Sequence, residues 1–178
     1  MSSERETLDL DILFVGAGPA NLAGAIHLKR LVDEHNQRRA KGFGQGRKLD
    51  DLTIGIIEKG REVGAHILSG AVMDPRAIKE LMPDFLALGA PVESEVTHDR
   101  LLIFTEKHHY EAPITPPPLM NHGNYIISLG KMVRWLARQA EKLGIDIFPE
   151  FPAAEMLYEG DKVIGVRTGD KGIGKDGK

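Results

Sequence analysis

The chain contains 178 residues, with 26 acidic and 23 basic side chains and a formal net charge of -3. At roughly 100–200 residues per domain, this length fits one medium domain or part of a larger one. An apolar content of 42% and a charged content of 28% favour a packed core over disorder. The balanced charge gives no sign of a nucleic-acid partner. The chain has no cysteine, which excludes disulfides, thiol nucleophiles and thiolate-bound clusters within it.

The first residues and the apolar runs bear on location. The segment 1–11 is charged and mostly acidic, unlike a secretory signal or an Arg-rich transit peptide. No run of about 18 apolar residues is present that could span a bilayer. The sequence therefore predicts a soluble protein or one that binds at a membrane surface.

The first sixty residues predict the opening of a parallel sheet. A strand at 10–15 and a strand at 52–57 flank a helix from residue 21 to about residue 35. The turn Gly16-Ala17-Gly18-Pro19-Ala20 follows the first strand, and a long basic loop is expected at 36–51. Strand, glycine-rich turn, helix and strand in this order are typical of a doubly wound α/β fold.

The middle of the chain is less regular. Asp74-Pro75 predicts the start of a short helix, with an apolar stripe interrupted at Pro83. Residues 101–105 and 109–111 predict a hairpin, and the proline-rich run 113–118 is expected to be extended. The stripe of the short helix consists of Ile78, Leu81, Met82, Phe85 and Leu86.

The last fifty residues predict the return to the sheet. A short strand at 125–128 leads into a helix at 129–143, which stops at Gly144. A third parallel strand is expected at 145–148, followed by a hairpin of 154–158 and 163–167. The Gly/Lys-rich tail 169–178 has no predicted element.

The chemistry is concentrated at the end of the first strand. Gly16-x-Gly18 lets the main chain turn sharply and approach a diphosphate, and the following helix directs free amides and its positive dipole end at the phosphates. Glu58 ends the next strand, where a carboxylate accepts hydrogen bonds from ribose hydroxyls. The usual interval is about twenty residues, and the loop at 36–51 accounts for the excess.

Asn21 departs from this motif because it replaces the third glycine of Gly-x-Gly-x-x-Gly. Asparagine tolerates unusual backbone angles, so we expect the fold to survive. A lone Gly-x-Gly is an ordinary tight turn, but strand, helix, second strand and terminal Glu58 in order favour dinucleotide binding. The pattern does not separate NAD from FAD, and Glu58 favours a free ribose over a 2′-phosphate.

Four segments carry a family resemblance. Residues 16–20 with Ile57-Glu58-Lys59 resemble the glutathione-reductase-type FAD-binding fold. The segments 64–71 with Asp74-Pro75, 102–107, and 121–126 followed by Leu129-Gly130 resemble the electron transfer flavoprotein–ubiquinone oxidoreductase family. The resemblance implies a Rossmann-like α/β fold with a parallel sheet and β-hairpin insertions, and it runs from about residue 9 to the end of the chain.

The resemblance implies a set of cofactor-binding residues. Gly16, Gly18 and Glu58 would contact the ADP half of FAD, and the segment 64–70 would run near the flavin. No catalytic residue is expected because the cofactor supplies the chemistry of electron transfer, and no metal site is expected. Residues in 64–70 could instead only shape a turn. The full candidate set is Gly16, Gly18, Pro19, Ala20, Asn21, Glu58, Lys59, His66, Ser69 and Gly70.

The family's activity sets the remaining expectations. Its members transfer electrons from reduced electron transfer flavoprotein to ubiquinone through FAD and a [4Fe-4S] cluster, whose cysteine ligands are absent from this chain. The chain is therefore expected to be an N-terminal, incomplete portion (1–178) of an FAD-binding domain, inactive alone. Its parts would be a βαβ unit at about 9–60, a cofactor- and membrane-proximal insertion at 61–128, a helix, strand and hairpin at 129–168, and a truncated tail at 169–178.

Partners and location follow from the same resemblance. Electron transfer flavoprotein, ubiquinone and a membrane surface are the expected partners. The protein would be a peripheral or monotopic protein of the bacterial cytoplasmic membrane, or of the mitochondrial inner membrane in a eukaryote. The stripe at 78–86 favours a core helix on its sequence and an interfacial lipid-contacting segment on the resemblance.

Two alternative functions stay open. The first is an FAD-dependent hydroxylase or geranylgeranyl-reductase-like enzyme that acts on an apolar substrate. The second is a non-catalytic nucleotide-binding fragment.

Overall fold

The computed structural model describes residues 6–169. They divide into two compact units, of which unit 1 combines 6–66 with 136–169 and unit 2 is Ile67–Trp135. In chain order the elements are β1 (Ile12–Val15), α1 (Pro19–Ala40), β2 (Ile54–Glu58), β3 (Ala71–Met73), α2 (Arg76–Leu81), β4 (Val92–Glu95), β5 (Leu102–Phe104), β6 (His109–Glu111), a 3₁₀ turn (Pro117–Leu119), β7 (Tyr125–Ile127), α3 (Leu129–Lys142), β8 (Asp146–Pro149), β9 (Ala153–Glu159) and β10 (Lys162–Thr168).

Unit 1 is built on a parallel sheet with the order β1-β2-β8. The central strand β2 is an isoleucine-rich run with its first four residues buried, as expected for a strand covered on both faces. The predicted third parallel strand is confirmed, and the hairpin β9–β10 follows it. Large side chains of this core include Leu22, Ile26, Ile56 and Ile145, each 2% exposed or less.

A hydrogen-bonded pair fixes the register where β1 and β2 begin. Asp11 accepts hydrogen bonds from the Thr53 amide at 2.8 Å and the Thr53 hydroxyl at 2.7 Å, and its own amide donates to that hydroxyl at 2.9 Å. Ile12 then pairs with Ile54 as the first residue of the ladder. The hydrogen bond from the Thr53 amide, and after it the one from the Thr53 hydroxyl, hold the pKa of the Asp11 carboxyl below its ordinary value.

This lowered pKa predicts an acid-sensitive contribution to stability. A carboxylate with a depressed folded-state pKa stabilises the fold above its unfolded pKa of about 3.9, and this stabilisation is lost as the pH falls through the folded pKa. Asp11→Ala should therefore lower the midpoint of thermal unfolding at neutral pH, and the difference from the parent protein should shrink below about pH 4. Melting both proteins across this range checks the result, and a difference that stays constant with pH would contradict it.

Unit 2 contains an antiparallel sheet of order β3-β7-β4 and the separate hairpin β5–β6. Phe85 is 1% exposed and meets Tyr125 edge to face, with ring centroids 6.0 Å apart. Trp135, 2% exposed, donates from Nε1 to the Leu88 carbonyl at 3.1 Å. A buried indole thus has its N–H satisfied, which ties the turn after α2 to α3.

The structure corrects the predicted elements in three places. Helix α1 continues to Ala40 instead of ending near residue 35, because Arg38 and Arg39 suit the negative end of a helix. Part of the proline-rich run forms the 3₁₀ turn, since the φ angle that proline imposes also fits that turn. Strands β3 and β4 were not predicted. The tail from 170 to 178 lies outside the described residues.

The apolar stripe after Asp74 forms protein core in the described structure. Ile78, Met82 and Phe85 are buried, whereas Leu86 is 48% exposed. Asp74 accepts a hydrogen bond from the Arg76 amide at 3.0 Å, as predicted for the start of α2. The interpretation of this stripe as a lipid-contacting segment is therefore wrong, because the side chains of Ile78, Met82 and Phe85 are buried in the protein and cannot contact lipid.

Candidate dinucleotide-binding corner

The corner lies where β1 ends and α1 begins, within unit 1. Gly16 has φ +95°, in the left-handed region that favours glycine, and its amide donates to the Ile57 carbonyl at 2.7 Å. The chain thus leaves the sheet in a sharp turn while still bonded to β2. Gly16 is required here by the backbone conformation itself.

At Gly18, neither the backbone conformation nor a neighbouring atom of the described residues requires glycine. Its φ of -79° and ψ of 170° are open to any residue, and a Cβ placed on it would meet no atom within 4 Å. Helix α1 starts at the next residue, Pro19, and its first turn contains no acidic side chain. A bare main chain beside the positive end of a 22-residue helix fits the diphosphate of a dinucleotide. Pro19 and Ala20 are exposed at this helix start.

Glu58 lies against the same turn. Its Oε2 accepts a hydrogen bond from the Ala17 amide at 2.8 Å, and its Oε1 accepts one from the Gly60 amide at 2.7 Å. The Glu58 carbonyl in turn accepts from the Phe151 amide at 2.9 Å, which holds the end of β2. A carboxylate offers about four acceptor positions, so two remain for ribose hydroxyls. Lys59 is exposed beside it.

Asn21 does more than tolerate its position. Its Nδ2 donates to the Val15 carbonyl and to the Gly16 carbonyl, each at 2.8 Å. A side-chain amide carries two N–H groups, so both bonds can form at once. The residue that replaces the third glycine of the motif therefore binds the turn that contains the first one.

The remaining candidate residues fall in both units. His66 belongs to unit 1, where its Nδ1 would lie 3.4 Å from a Cβ placed on Gly60, so it neighbours the Glu58 loop. Ser69 and Gly70 belong to unit 2, where the Ser69 hydroxyl donates to the Ser128 hydroxyl at 2.8 Å and Gly70 has φ +85°. The φ of Gly70 lies in the left-handed region that favours glycine.

Two residues of the corner were not in the predicted set. Ala17 and Gly60 contribute the amides that Glu58 accepts. Ala17 lies between the two glycines of the motif, so the sequence places it in the turn, but the motif assigns its amide no partner. Gly60 carried no signal, since its role depends on the backbone turn after β2.

The histidines and the helices of the described residues form neither a metal site nor a membrane span. Within 6–169, no three histidine or acidic side chains come together as a metal-binding group. The His109 ring lies 5.9 Å from Phe104, and the His122 Nδ1 lies 3.0 Å from the Thr97 carbonyl. Over the same range, no helix combines the length and the apolar character needed to cross a bilayer.

Comparison with solved structures defines the class of fold. A geranylgeranyl bacteriochlorophyll reductase-like protein from Thermoplasma acidophilum aligns with a TM-score of 0.56 at 20% identity, over 89% of this chain and 34% of that one. CtdE, solved with FAD and a substrate, aligns with a TM-score of 0.58 at 18% identity, over 90% of this chain and 34% of that one. The chain has the α/β fold of the FAD-dependent oxidoreductases, with a parallel sheet, as the sequence predicted.

Curated relatives of this chain share one family name. A probable electron transfer flavoprotein-ubiquinone oxidoreductase of Acinetobacter baylyi is 48% identical over 98% of this chain and 29% of its own length. The mitochondrial electron transfer flavoprotein-ubiquinone oxidoreductases of Rattus norvegicus and Homo sapiens are 45% and 44% identical, over 99% of this chain and 27% of their length. No protein-family model matches the chain. The resemblance to the electron transfer flavoprotein–ubiquinone oxidoreductases is confirmed, and the chain spans about 28% of their length.

Proposed function

We propose that the full-length gene product binds FAD at this corner and transfers electrons from reduced electron transfer flavoprotein to ubiquinone. The observation that carries the proposal is the open Cβ position of Gly18 beside a helix start and beside the Glu58 carboxylate. The names of the relatives support the electron donor and acceptor. Because the chain spans 27–29% of those relatives, the activity is proposed for the gene product as a whole.

Each residue has a binding role in this proposal. Gly16 makes the sharp turn, and Gly18, Pro19 and Ala20 are proposed to leave the helix start open to the diphosphate. Glu58 is proposed to accept the ribose hydroxyls. FAD supplies the electron-transfer chemistry when bound, so the chain needs to bind and orient it without an acid–base pair. The segment with His66, Ser69 and Gly70 is proposed to run beside the flavin, and Lys59 beside the ribose.

Residues 1–178 contain no cysteine and therefore offer no thiolate ligand to an iron–sulfur cluster. We propose that a [4Fe-4S] cluster and the ubiquinone site are held by other parts of the gene product. Electron transfer by residues 1–178 alone is therefore not expected.

The proposed activity is tested with the full-length gene product. Anaerobic mixing with reduced electron transfer flavoprotein should reduce the bound flavin, and a soluble ubiquinone analogue should reoxidise it. A protein that carries FAD and is not reduced by that donor would refute the electron-transfer proposal and favour the hydroxylase or reductase class. A colourless protein that gains no thermal stability from FAD would refute FAD binding, and only the assignment of an α/β fold would stand.

The proposed membrane contact is supported by unit 2. Ile103 and Tyr110 face each other across the β5–β6 hairpin, so their side chains share one face, and they are 57% and 59% exposed. The segment after the hairpin adds further exposed apolar side chains, and such a concentration is typical of an interaction or membrane surface. These are Ile114, Leu119 and Met120.

Replacing Ile103 with serine should weaken binding of the full-length gene product to phospholipid vesicles by about tenfold, the scale expected for one buried isoleucine. Vesicle flotation measures the change. Ile164 in the β9–β10 hairpin is equally exposed at 57%, so Ile164→Ser is a matched control that should leave vesicle binding unchanged. Equal losses in the two variants would contradict this assignment of the membrane surface.

A further inference from the structure

Two consecutive peptide groups at the end of β1 are each held at both ends. In the Val15–Gly16 peptide, the carbonyl accepts from Asn21 and the amide donates to the Ile57 carbonyl. In the Gly16–Ala17 peptide, the carbonyl accepts from Asn21 and the amide donates to Glu58. The four donor–acceptor distances lie between 2.7 and 2.8 Å.

We propose that Asn21 and Glu58 form a peptide clamp on the Gly16–Ala17 group, and that Asn21 is a positioning residue for the diphosphate of FAD. The inference rests on the proposed function for its ligand and goes beyond it in assigning a role to Asn21. The usual motif has a glycine at this position, which has no side chain with which to hold the turn.

The physical reason for a clamp lies in the flexibility of the turn. A glycine on either side of Ala17 gives the free chain more backbone freedom than other residues would. Ordering that freedom when the ligand binds would reduce affinity, and a turn ordered beforehand avoids much of this cost. Asn21 and Glu58 order the turn from opposite ends of one rigid peptide plane.

The clamp also joins two parts of the proposed site. Glu58 is the residue proposed to accept the ribose hydroxyls, and through the Ala17 amide it restrains the turn proposed to receive the diphosphate. Residues that act on one group through a shared network show non-additive effects when both are changed. The clamp therefore predicts coupling between Asn21 and Glu58 in FAD affinity.

The test compares four versions of the full-length gene product: the parent, Asn21→Gly, Glu58→Ala and the double variant. Asn21→Gly restores the usual motif and removes two hydrogen bonds, so FAD affinity should fall about tenfold. In the Glu58→Ala background the peptide has already lost its hydrogen bond to Glu58. There the Asn21→Gly change should reduce FAD affinity by a factor at least about threefold smaller than in the parent. Titration of the apoprotein with FAD gives the four affinities.

A second variant and a second readout separate positioning from general support of the fold. Asn21→Asp has the same size but no N–H donor, and its charge would face two carbonyls, so it should bind FAD more weakly than Asn21→Gly. The ³¹P resonances of the diphosphate in the FAD-saturated Asn21→Gly protein should move relative to the parent, because its surroundings change. A merely structural residue would lower the melting temperature and leave these resonances in place.

Several outcomes would overturn the clamp. Parent-like FAD affinity in Asn21→Gly and Asn21→Asp would remove Asn21 from the site, and strictly additive losses would remove its coupling to Glu58. Unchanged ³¹P resonances together with a lower melting temperature would assign Asn21 to the fold alone. A parent protein that binds no FAD would instead refute the proposed function, which distinguishes the two failures.

Discussion

Gly18→Val is expected to reduce the FAD affinity of the full-length gene product by more than about a hundredfold, on the scale of overpacking a tight site. The backbone of Gly18 is extended and its Cβ position is empty of protein atoms, so valine can be accommodated by the fold. The side chain would instead occupy the space beside the helix start where we propose that the diphosphate lies. FAD titration and thermal unfolding of the apoprotein measure the two effects separately.

Gly16→Ala provides the contrast within the same turn. At φ +95° a side chain strains the backbone, at a cost of roughly 1–2 kcal/mol. Gly18→Val has an unstrained backbone but places valine at the N-cap of α1, so it should lose less free energy of unfolding than Gly16→Ala. An unchanged FAD affinity in Gly18→Val would show that the diphosphate does not approach this main chain.

Glu58→Ala should reduce FAD affinity by about 10- to 100-fold, the scale of hydrogen bonds to a charged group. The variant removes the proposed acceptor for the ribose hydroxyls and also leaves the Ala17 and Gly60 amides without the carboxylate. Isothermal titration of the apoprotein with FAD measures the loss.

Glu62→Ala is the matched control for this experiment. Glu62 is an exposed carboxylate four residues further along the same chain segment, so its removal changes the net charge by the same amount. We expect it to leave FAD affinity within about twofold of the parent, as for ordinary surface substitutions. Equal losses in Glu58→Ala and Glu62→Ala would assign the effect to net charge and would exclude a specific ribose contact.

The parts of the fold that the sequence predicted are those with local signals. The glycine turn, the apolar run of β2 and the terminal Glu58 stand in a fixed order, which is enough to predict the parallel pair β1–β2. The hairpins β5–β6 and β9–β10 were also predicted, since a short polar segment separates the two strands of each pair.

The parts that were missed depend on distant partners. Strand β3 has only three residues, and three of the four residues of β4 (Val-Glu-Ser-Glu) are polar, so neither shows a usable period. Both are strands because β7 hydrogen-bonds to them on its two edges, more than 25 residues away in the chain. Short strands of this kind are defined by tertiary pairing, because propensity alone does not specify them.

Two side-chain environments could not be read from the pattern. An apolar stripe at helical spacing suits lipid and protein core equally, and only the fold shows that Ile78, Met82 and Phe85 are buried. The role of Asn21 depends on the Val15 and Gly16 carbonyls, which the turn brings to its side chain. The sequence identified Asn21 as a departure from the motif without supplying its function.

The central claim is that this corner receives the diphosphate and ribose of FAD, and a crystal structure of the FAD-loaded gene product tests it most directly. We expect the diphosphate against the main chain of residues 16–20 and the Glu58 carboxylate at the ribose hydroxyls. FAD bound elsewhere, or bound here with Glu58 facing away from the ribose, would contradict the account.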